Sequence, residues 1–354
     1  MIFSLDALVR PNIGKLAPYV SARNAFAGHA RIILDANENS FGSPIDGDLS
    51  RYPDPSQSEI SRGLAEIYGL SPSEIFVSHG SDEAIDLLIR IFCEPRIDNI
   101  LICPPTYGMY EVSAAINDVE VLKVNLTSEF ELDVEAVKST ANENTKLIFL
   151  CSPNNPTGNS IGREAILEIA EAFSGIVVID EAYIHFSNET SVACELDRSQ
   201  NIVVLQTFSK AWGLAGLRVG LALGNPKIIE LLNRVKLPYN VGRTEQKLIL
   251  EALANRTMVD ETAAKIVFER ESLAEKLRRL SFIKRVYHSD ANFLLVKATD
   301  GEKIYRSLLS EKIVVRNRDG DPLCDGCLRI TVGTPNENNE LLRALKKYEE
   351  SLVY

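Results

Sequence analysis

The chain has 354 residues, 45% of them hydrophobic and 25% charged, with 38 Lys and Arg against 49 Asp and Glu. That is the composition of a globular protein too long for one simple core, so two domains, or one large domain with a smaller partner, are expected. A formal net charge of -11 argues against a general affinity for nucleic acid or an anionic membrane, since both need clustered Lys and Arg, but it leaves room for a local basic pocket.

The opening MIFSLDALVRPN has no cationic stretch followed by a long apolar one, and no run approaches the roughly 18 apolar residues of a membrane-spanning helix. No secretory signal is expected, and a cytoplasmic location is. Residues 1–35 show no strong pattern and read as an arm over the larger domain. From about residue 58 to 235, short β-branched runs alternate with amphipathic stretches. The predicted strands are EIFVSH, NILICP, VEVLKV, TKLIFLC, GIVVID, NIVVLQ and RVGLALG, with helical patterns such as SDEAIDLLIRIF and REAILEIAEAF between them. Runs apolar on both faces and separated by helices predict a mostly parallel sheet covered on both sides, a three-layer α/β domain assigned to residues 36–242. After residue 243 come long helical periodicities, then FIKRVYHS, NFLLVKA, KIVVRNR and CLRITVG as strands with two further helices. Residues 243–354 are therefore expected to form a smaller α+β domain.

Among the six cysteines, Cys324 and Cys327 form a CDGC pair. With no second pair and only scattered histidines, it reads as a turn before a strand, and no metal is assigned. No G-x-G-x-x-G follows the first strand, which disfavours a nicotinamide enzyme. The segment before residue 35 has no room for a helix-turn-helix domain, which disfavours a regulator.

In an open parallel sheet, ligands bind at the carboxyl ends of the strands. There, HGSDEA places Gly80, Ser81 and Asp82 where a helix begins. They form either an anion seat or a plain cap by Ser81 or Asp82. Tyr107 lies beyond two prolines, SPNNPTG is a rigid turn that can aim Asn155, and GIVVID ends in Asp180 with Tyr183 after it. NIVVLQ runs into Thr207, Ser209 and Lys210, with Arg218 beyond a glycine-rich turn. A lysine, a buried carboxylate, a ring that can stack and an anion seat with its arginine are together the demands of pyridoxal 5'-phosphate.

LDANENSFGSP, RYPDP, GSDEAIDLLIR, PPTYGMY, SPNNPTG, VVIDEAYIHF, TFSKAWGLAGLRVG and CLRITVGTP resemble, in order and spacing, the histidinol-phosphate aminotransferases. These are pyridoxal-phosphate-dependent enzymes of the aspartate-aminotransferase (type I) fold. The resemblance implies that Lys210 is the Schiff-base lysine, Asp180 the partner of the pyridine nitrogen, and Asn155 and Tyr183 donors to the ring hydroxyl. It implies that Tyr107 stacks on the cofactor and that Gly80, Ser81, Asp82, Thr207, Ser209 and Arg218 make the phosphate cup. Tyr52 of RYPDP then reaches the phosphate of the neighbouring subunit, which implies a homodimer with shared sites. Arg329 and Arg316 are implied to bind the substrate anion, with Tyr19 and Asn39 near the substrate and Asn292 near Arg329. The implied reaction exchanges an amino group between L-glutamate and imidazole-acetol phosphate in histidine biosynthesis. An aromatic-amino-acid aminotransferase or a threonine-phosphate decarboxylase of the same fold would use the same machinery, and Ser40 and Trp212 depart from the usual pattern.

Overall fold

The structure, a computed structural model, describes residues 3–17, 19, 32–47 and 49–352. Two short helices, α1 (Leu5–Leu8) and α2 (Pro11–Gly14), precede the first long one, α3 (Ser58–Tyr68). Strand β1 (Ile75–Ser78) leads into α4 (Gly80–Phe92), and β2 (Asn99–Ile102) into α5 (Met109–Ile116). Next come β3 (Glu120–Lys123), α6 (Val134–Thr140), β4 (Thr145–Cys151), α7 (Arg163–Ala172) and β5 (Ile176–Asp180). Strands β6 (Ile202–Thr207) and β7 (Gly220–Gly224) close this part, followed by α8 (Pro226–Val235). The seven strands form one sheet in the order β1-β7-β6-β5-β4-β2-β3. Only β7 runs antiparallel to its neighbours.

Because side chains alternate across a strand, β4 sends Ile148 and Leu150 into one core and Leu147 and Phe149 into the other. Both cores are fully buried, as a sheet with helices on each face requires. The edge strand β3 is instead exposed at Glu120 and Lys123, and such charges blunt an open edge. The first residues are tied to this body: Arg10 pairs with Glu94 at 3.0 Å and donates to the carbonyl of Arg90 at 2.9 Å.

Helices α9 (Arg243–Ala254) and α10 (Thr257–Leu277) lead to β8 (Ile283–Val286), β9 (Phe293–Ala298), α11 (Gly301–Ser310), β10 (Arg316–Asn317), β11 (Cys327–Thr331) and α12 (Pro335–Ser351). The four strands form a second, antiparallel sheet in the order β10-β11-β9-β8. Leu273, Leu277, Val296, Leu328 and Leu345 pack it against its helices. Helix α12 opens with a reciprocal cap between Thr334 and Glu337 and a proline at its first position. A fourth cluster, including Tyr183, Phe186, Ala211 and Phe293, joins the two sheets.

The strand expected over KIVVRNR shrinks to Arg316–Asn317. The amides of Lys312 and Ile313 donate to the carbonyls of Leu309 and Leu308 at 3.0 and 2.9 Å. They close the end of α11, and Lys312 takes a left-handed φ of 60°. Those donors are therefore unavailable to a ladder, and Val314 is left exposed. Cys324 and Cys327 are buried, and the Cys327 amide donates to the Cys324 carbonyl in the turn that enters β11. No helix among the described residues is long and apolar enough to cross a membrane.

Candidate active site

The carboxyl ends of β1, β2, β4, β5 and β6 open onto a cleft of about 710 Å³ whose opposite wall comes from β10, β11 and the turn between them. Ser81, Asp82, Tyr107, Asn155, Asp180, Tyr183, Thr207, Ser209, Lys210, Arg218, Arg316 and Arg329 all line it. Twelve residues spread over nearly 250 positions are thus brought to one cleft.

Asp180 ends β5 and is only 3% exposed. Its Oδ2 accepts the Tyr110 hydroxyl at 2.7 Å, and its Oδ1 accepts the Ala182 amide at 3.1 Å. Burial raises its pKa above the usual carboxylate range, while these two donors and the Lys210 charge pull it back. Two hydrogen bonds leave a buried carboxylate with spare acceptor capacity, and a cationic partner would use it. Glu181 beside it is also buried, but it is occupied by Ser191 and Gln206 and by the Val192 amide at 2.7 Å.

Lys210 follows β6 in a turn closed by the Gly213 amide on its carbonyl at 3.0 Å. Its Nζ sits 5.4 Å from the centroid of the Tyr183 ring. Burial, then the nearby Arg329 charge, holds its pKa below that of an ordinary lysine, against the pull of Asp180. A lysine so placed has more of its amine free at neutral pH, as a proton carrier needs.

The anion seat is built from backbone. Helix α4 begins at Gly80, and its N-cap, His79, provides no side-chain cap. Ser81 and Asp82 therefore lie inside the first turn, and the plain-cap reading fails. The Asp82 side chain turns away, accepting the Tyr107 hydroxyl at 3.0 Å and approaching Arg218 at 3.5 Å. First-turn amides with no cap are an anion-binding arrangement. Gly80 has φ +71°, and a Cβ there would come within 3.0 Å of the Arg218 guanidinium. Gly220 is tighter: a Cβ would meet the Ser81 nitrogen at 2.3 Å. Thr207 Oγ1 accepts the Ser209 amide at 3.1 Å, and Arg218 donates to Ser209 Oγ at 3.3 Å.

Arg329, on β11, donates to Asn155 Oδ1 at 2.5 Å and lies over the Phe293 ring at 5.3 Å. Burial lowers its pKa from the usual guanidinium value. The β10–β11 register sets Arg316 directly opposite it.

Other expected site residues are not in this chain's cleft. Tyr52 is 48% exposed and stacks on Tyr239 with centroids 4.5 Å apart. Tyr19 is 70% exposed and lines a separate hollow with Arg62 and Lys236. Asn39 is exposed and accepts the Phe41 amide at 3.0 Å. Asn292 uses its carbonyl to accept the Val332 amide at 2.9 Å at the end of β11. Tyr110, Gly220, Arg318 and Asp321 were not anticipated. A glycine two places beyond Arg218 was the one available signal, while a tyrosine within an amphipathic helix reads as core.

The aminotransferase class I and II family model matches residues 29–345. The chain belongs to the class I and II aminotransferases. The histidinol-phosphate aminotransferase of Cytophaga hutchinsonii is 49% identical over 348 residues, 98% of this chain and 100% of that one. That of Parabacteroides distasonis is 50% identical over 97% of this chain and 98% of its own. Among solved aminotransferases, the histidinol-phosphate enzyme from Clostridium acetobutylicum superposes with a TM-score of 0.80 at 27% identity, covering 86% of this chain and 92% of that one. The enzyme from Sinorhizobium meliloti, solved in complex with pyridoxal-5'-phosphate, gives 0.79 at 25% identity over 90% of each chain.

Proposed function

We propose that this aminotransferase exchanges the amino group of L-glutamate with the oxo group of imidazole-acetol phosphate. The products are 2-oxoglutarate and L-histidinol phosphate, in a reversible step of histidine biosynthesis, and the cofactor is pyridoxal 5'-phosphate. The observation that carries the reading is the convergence of Lys210, Asp180 and the anion seat at Ser81, Asp82 and Arg218 in one cleft walled by Arg316 and Arg329. The donor set fits the cofactor. An uncapped helix start beside Arg218 suits its phosphate, a buried carboxylate with spare acceptor capacity suits its ring nitrogen, and a lysine of lowered pKa suits its aldehyde. When bound, pyridoxal phosphate supplies an aldehyde for linkage to an amine and a protonated ring that withdraws electrons from the substrate α-carbon.

The protein's part is to bind, orient and move protons. Asp180, oriented by Tyr110, holds a proton at the ring nitrogen, and Asn155 and Tyr183 orient the ring hydroxyl. Tyr107 covers the ring face. The first-turn amides of α4, with Thr207, Ser209 and Arg218, fix the phosphate. Lys210 Nζ, once free, would take the proton from the substrate α-carbon and deliver it to the carbon that was the cofactor's aldehyde. Arg329 and Arg316 grip the glutamate carboxylate in one half-reaction and the substrate phosphate in the other, since each anion presents paired oxygens to a guanidinium. The same proposal divides the chain into an arm (1–35), a cofactor-binding domain (36–242) and a small domain (243–354), and places the enzyme in the cytoplasm. It also makes the enzyme a homodimer in which Tyr52, exposed here, reaches the partner's site.

The test is a single half-reaction followed by visible absorbance on the cofactor-loaded protein. L-histidinol phosphate should convert it to the pyridoxamine form far faster than L-phenylalanine or L-threonine phosphate. Preference for phenylalanine would make it a general aromatic aminotransferase, and carbon dioxide release from threonine phosphate a decarboxylase.

A further inference from the structure

We infer that Arg318, held in reserve by Asp321, is a third anion-binding arginine that lets the substrate grip take a phosphate dianion as well as a carboxylate. The two substrates proposed above, a phosphate ester and an amino dicarboxylate, give this arginine its role.

The Arg318 amide donates to the Cys327 carbonyl at 3.0 Å, so the β10–β11 ladder runs one step past Asn317. Arg318 stands two residues from Arg316 and therefore on the same face of that strand. Arg316 in turn stands directly opposite Arg329, and all three line the cleft. Like charges opposed on one sheet face destabilise it unless a counter-charge is at hand. Asp321 provides one: it forms an ion pair with Arg318, and its amide closes the turn onto the Arg318 carbonyl at 3.0 Å. Asp321 also lines the cleft.

The pair is incompletely satisfied. Asp321 Oδ2 takes the Arg318 guanidinium at one terminal nitrogen, but Arg318 Nε is buried without a hydrogen-bond partner among the described residues. The side chains are 17% and 30% exposed, so water reaches them only in part. A guanidinium offers five N–H donors, and one left buried and unbonded loses its hydration without return. An anion that draws the Arg318 side chain into the cleft would give that donor a partner.

Charge shows which anion gains. Three guanidiniums and one carboxylate leave two net positive charges along this wall. A phosphate monoester carries about two negative charges near neutral pH and matches that excess, whereas a carboxylate carries one. For the carboxylate, Arg329 and Arg316 are sufficient and Asp321 keeps Arg318 occupied. For the dianion, Arg318 joins them.

The test uses cofactor-loaded wild type, Arg318→Gln, Arg318→Lys and Asp321→Asn. Half-reactions are run with L-histidinol phosphate and with L-glutamate, and inorganic phosphate is titrated as an inhibitor of the glutamate half-reaction. Loss of one charge-assisted hydrogen bond is on the order of tenfold. Arg318→Gln should raise KM for histidinol phosphate about tenfold and weaken phosphate inhibition by a similar factor, with KM for glutamate within about twofold. Arg318→Lys should recover part of the loss, and Asp321→Asn should strengthen phosphate inhibition. An equal change for both substrates in Arg318→Gln, as a merely structural role would give, overturns the inference, and so does no change for either. Should Arg318→Gln not fold, unchanged phosphate inhibition in Asp321→Asn overturns it. Should wild type ignore histidinol phosphate, the proposed activity fails by itself, and phosphate inhibition alone then decides on Arg318.

Discussion

Replacing Gly220 by alanine adds one methyl group at the point where β7 crosses the start of α4. That Cβ would lie 2.3 Å from the Ser81 nitrogen and 2.5 Å from the Gly80 carbonyl carbon, whereas ordinary van der Waals contact begins at 3.4 Å. The helix start must therefore retreat by about 1 Å (3.4 − 2.3), and because both contacts are backbone no side chain can swing aside. Overpacking of this kind costs about 1–3 kcal/mol of stability. The larger consequence falls on the anion seat, whose amides move with the helix. Weakening one charge-assisted hydrogen bond by about 1.5–3 kcal/mol lowers affinity roughly 10- to 100-fold. The assay is titration of cofactor-free protein with pyridoxal 5'-phosphate and, in parallel, with pyridoxal. Gly220→Ala should bind the phosphorylated form far less tightly while its affinity for pyridoxal stays within about threefold, since pyridoxal has no phosphate to lose. Equal losses for both ligands, or wild-type affinity for both, would refute the assignment of the seat.

Three further outcomes follow from neighbouring residues. Asp180→Asn should lower turnover at least about 100-fold, whereas Glu181→Gln should reduce the melting temperature but keep most of kcat, because Glu181 serves Ser191, Val192 and Gln206. Similar losses of kcat in both would undo the division of roles between adjacent carboxylates. Tyr110→Phe removes a donor that lowers the Asp180 pKa, so the acid limb of the kcat profile should move to higher pH; a profile superimposable on wild type would count against it. Lys236 is pushed down from 10.5 to about 8, chiefly by burial. Between those values the unfolded chain holds a proton that the native state has released, so this group makes stability rise with pH across that window. Thermal melts of wild type and Lys236→Met across it should show a flatter slope in the variant, whatever the change in absolute stability.

The strand ends were legible because apolar runs of β-branched residues stop abruptly at Asp180 and Thr207, and a buried sheet has few reasons to do so without a ligand. The run TKLIFLC is apolar throughout, so a strand buried on both faces was legible, whereas the assignment of Ile148 and Leu150 to one core and Leu147 and Phe149 to the other came from the structure. Long-range partnerships were not legible. Tyr110 meets Asp180 across 70 positions, and within its helix it is indistinguishable from a core aromatic. The β10 strand was read too long because Ile313, Val314 and Val315 look like strand residues, yet the end of α11 claims the first of those amides. Tyr19 and Asn39 resembled substrate residues by motif, but within one chain they lie away from the cleft, and no local pattern reveals that. Arg318 ended a predicted strand with no role attached to it, and only the register put it beside two other arginines.

The contact between Arg329 and Asn155 ties the two sheets to each other at the cleft itself. An anion that captures Arg329 competes with the Asn155 oxygen for the same guanidinium, so loading one wall releases an amide on the other. One guanidinium thus belongs to both ends of the cleft, and the substrate end is linked to the catalytic end through a single hydrogen bond.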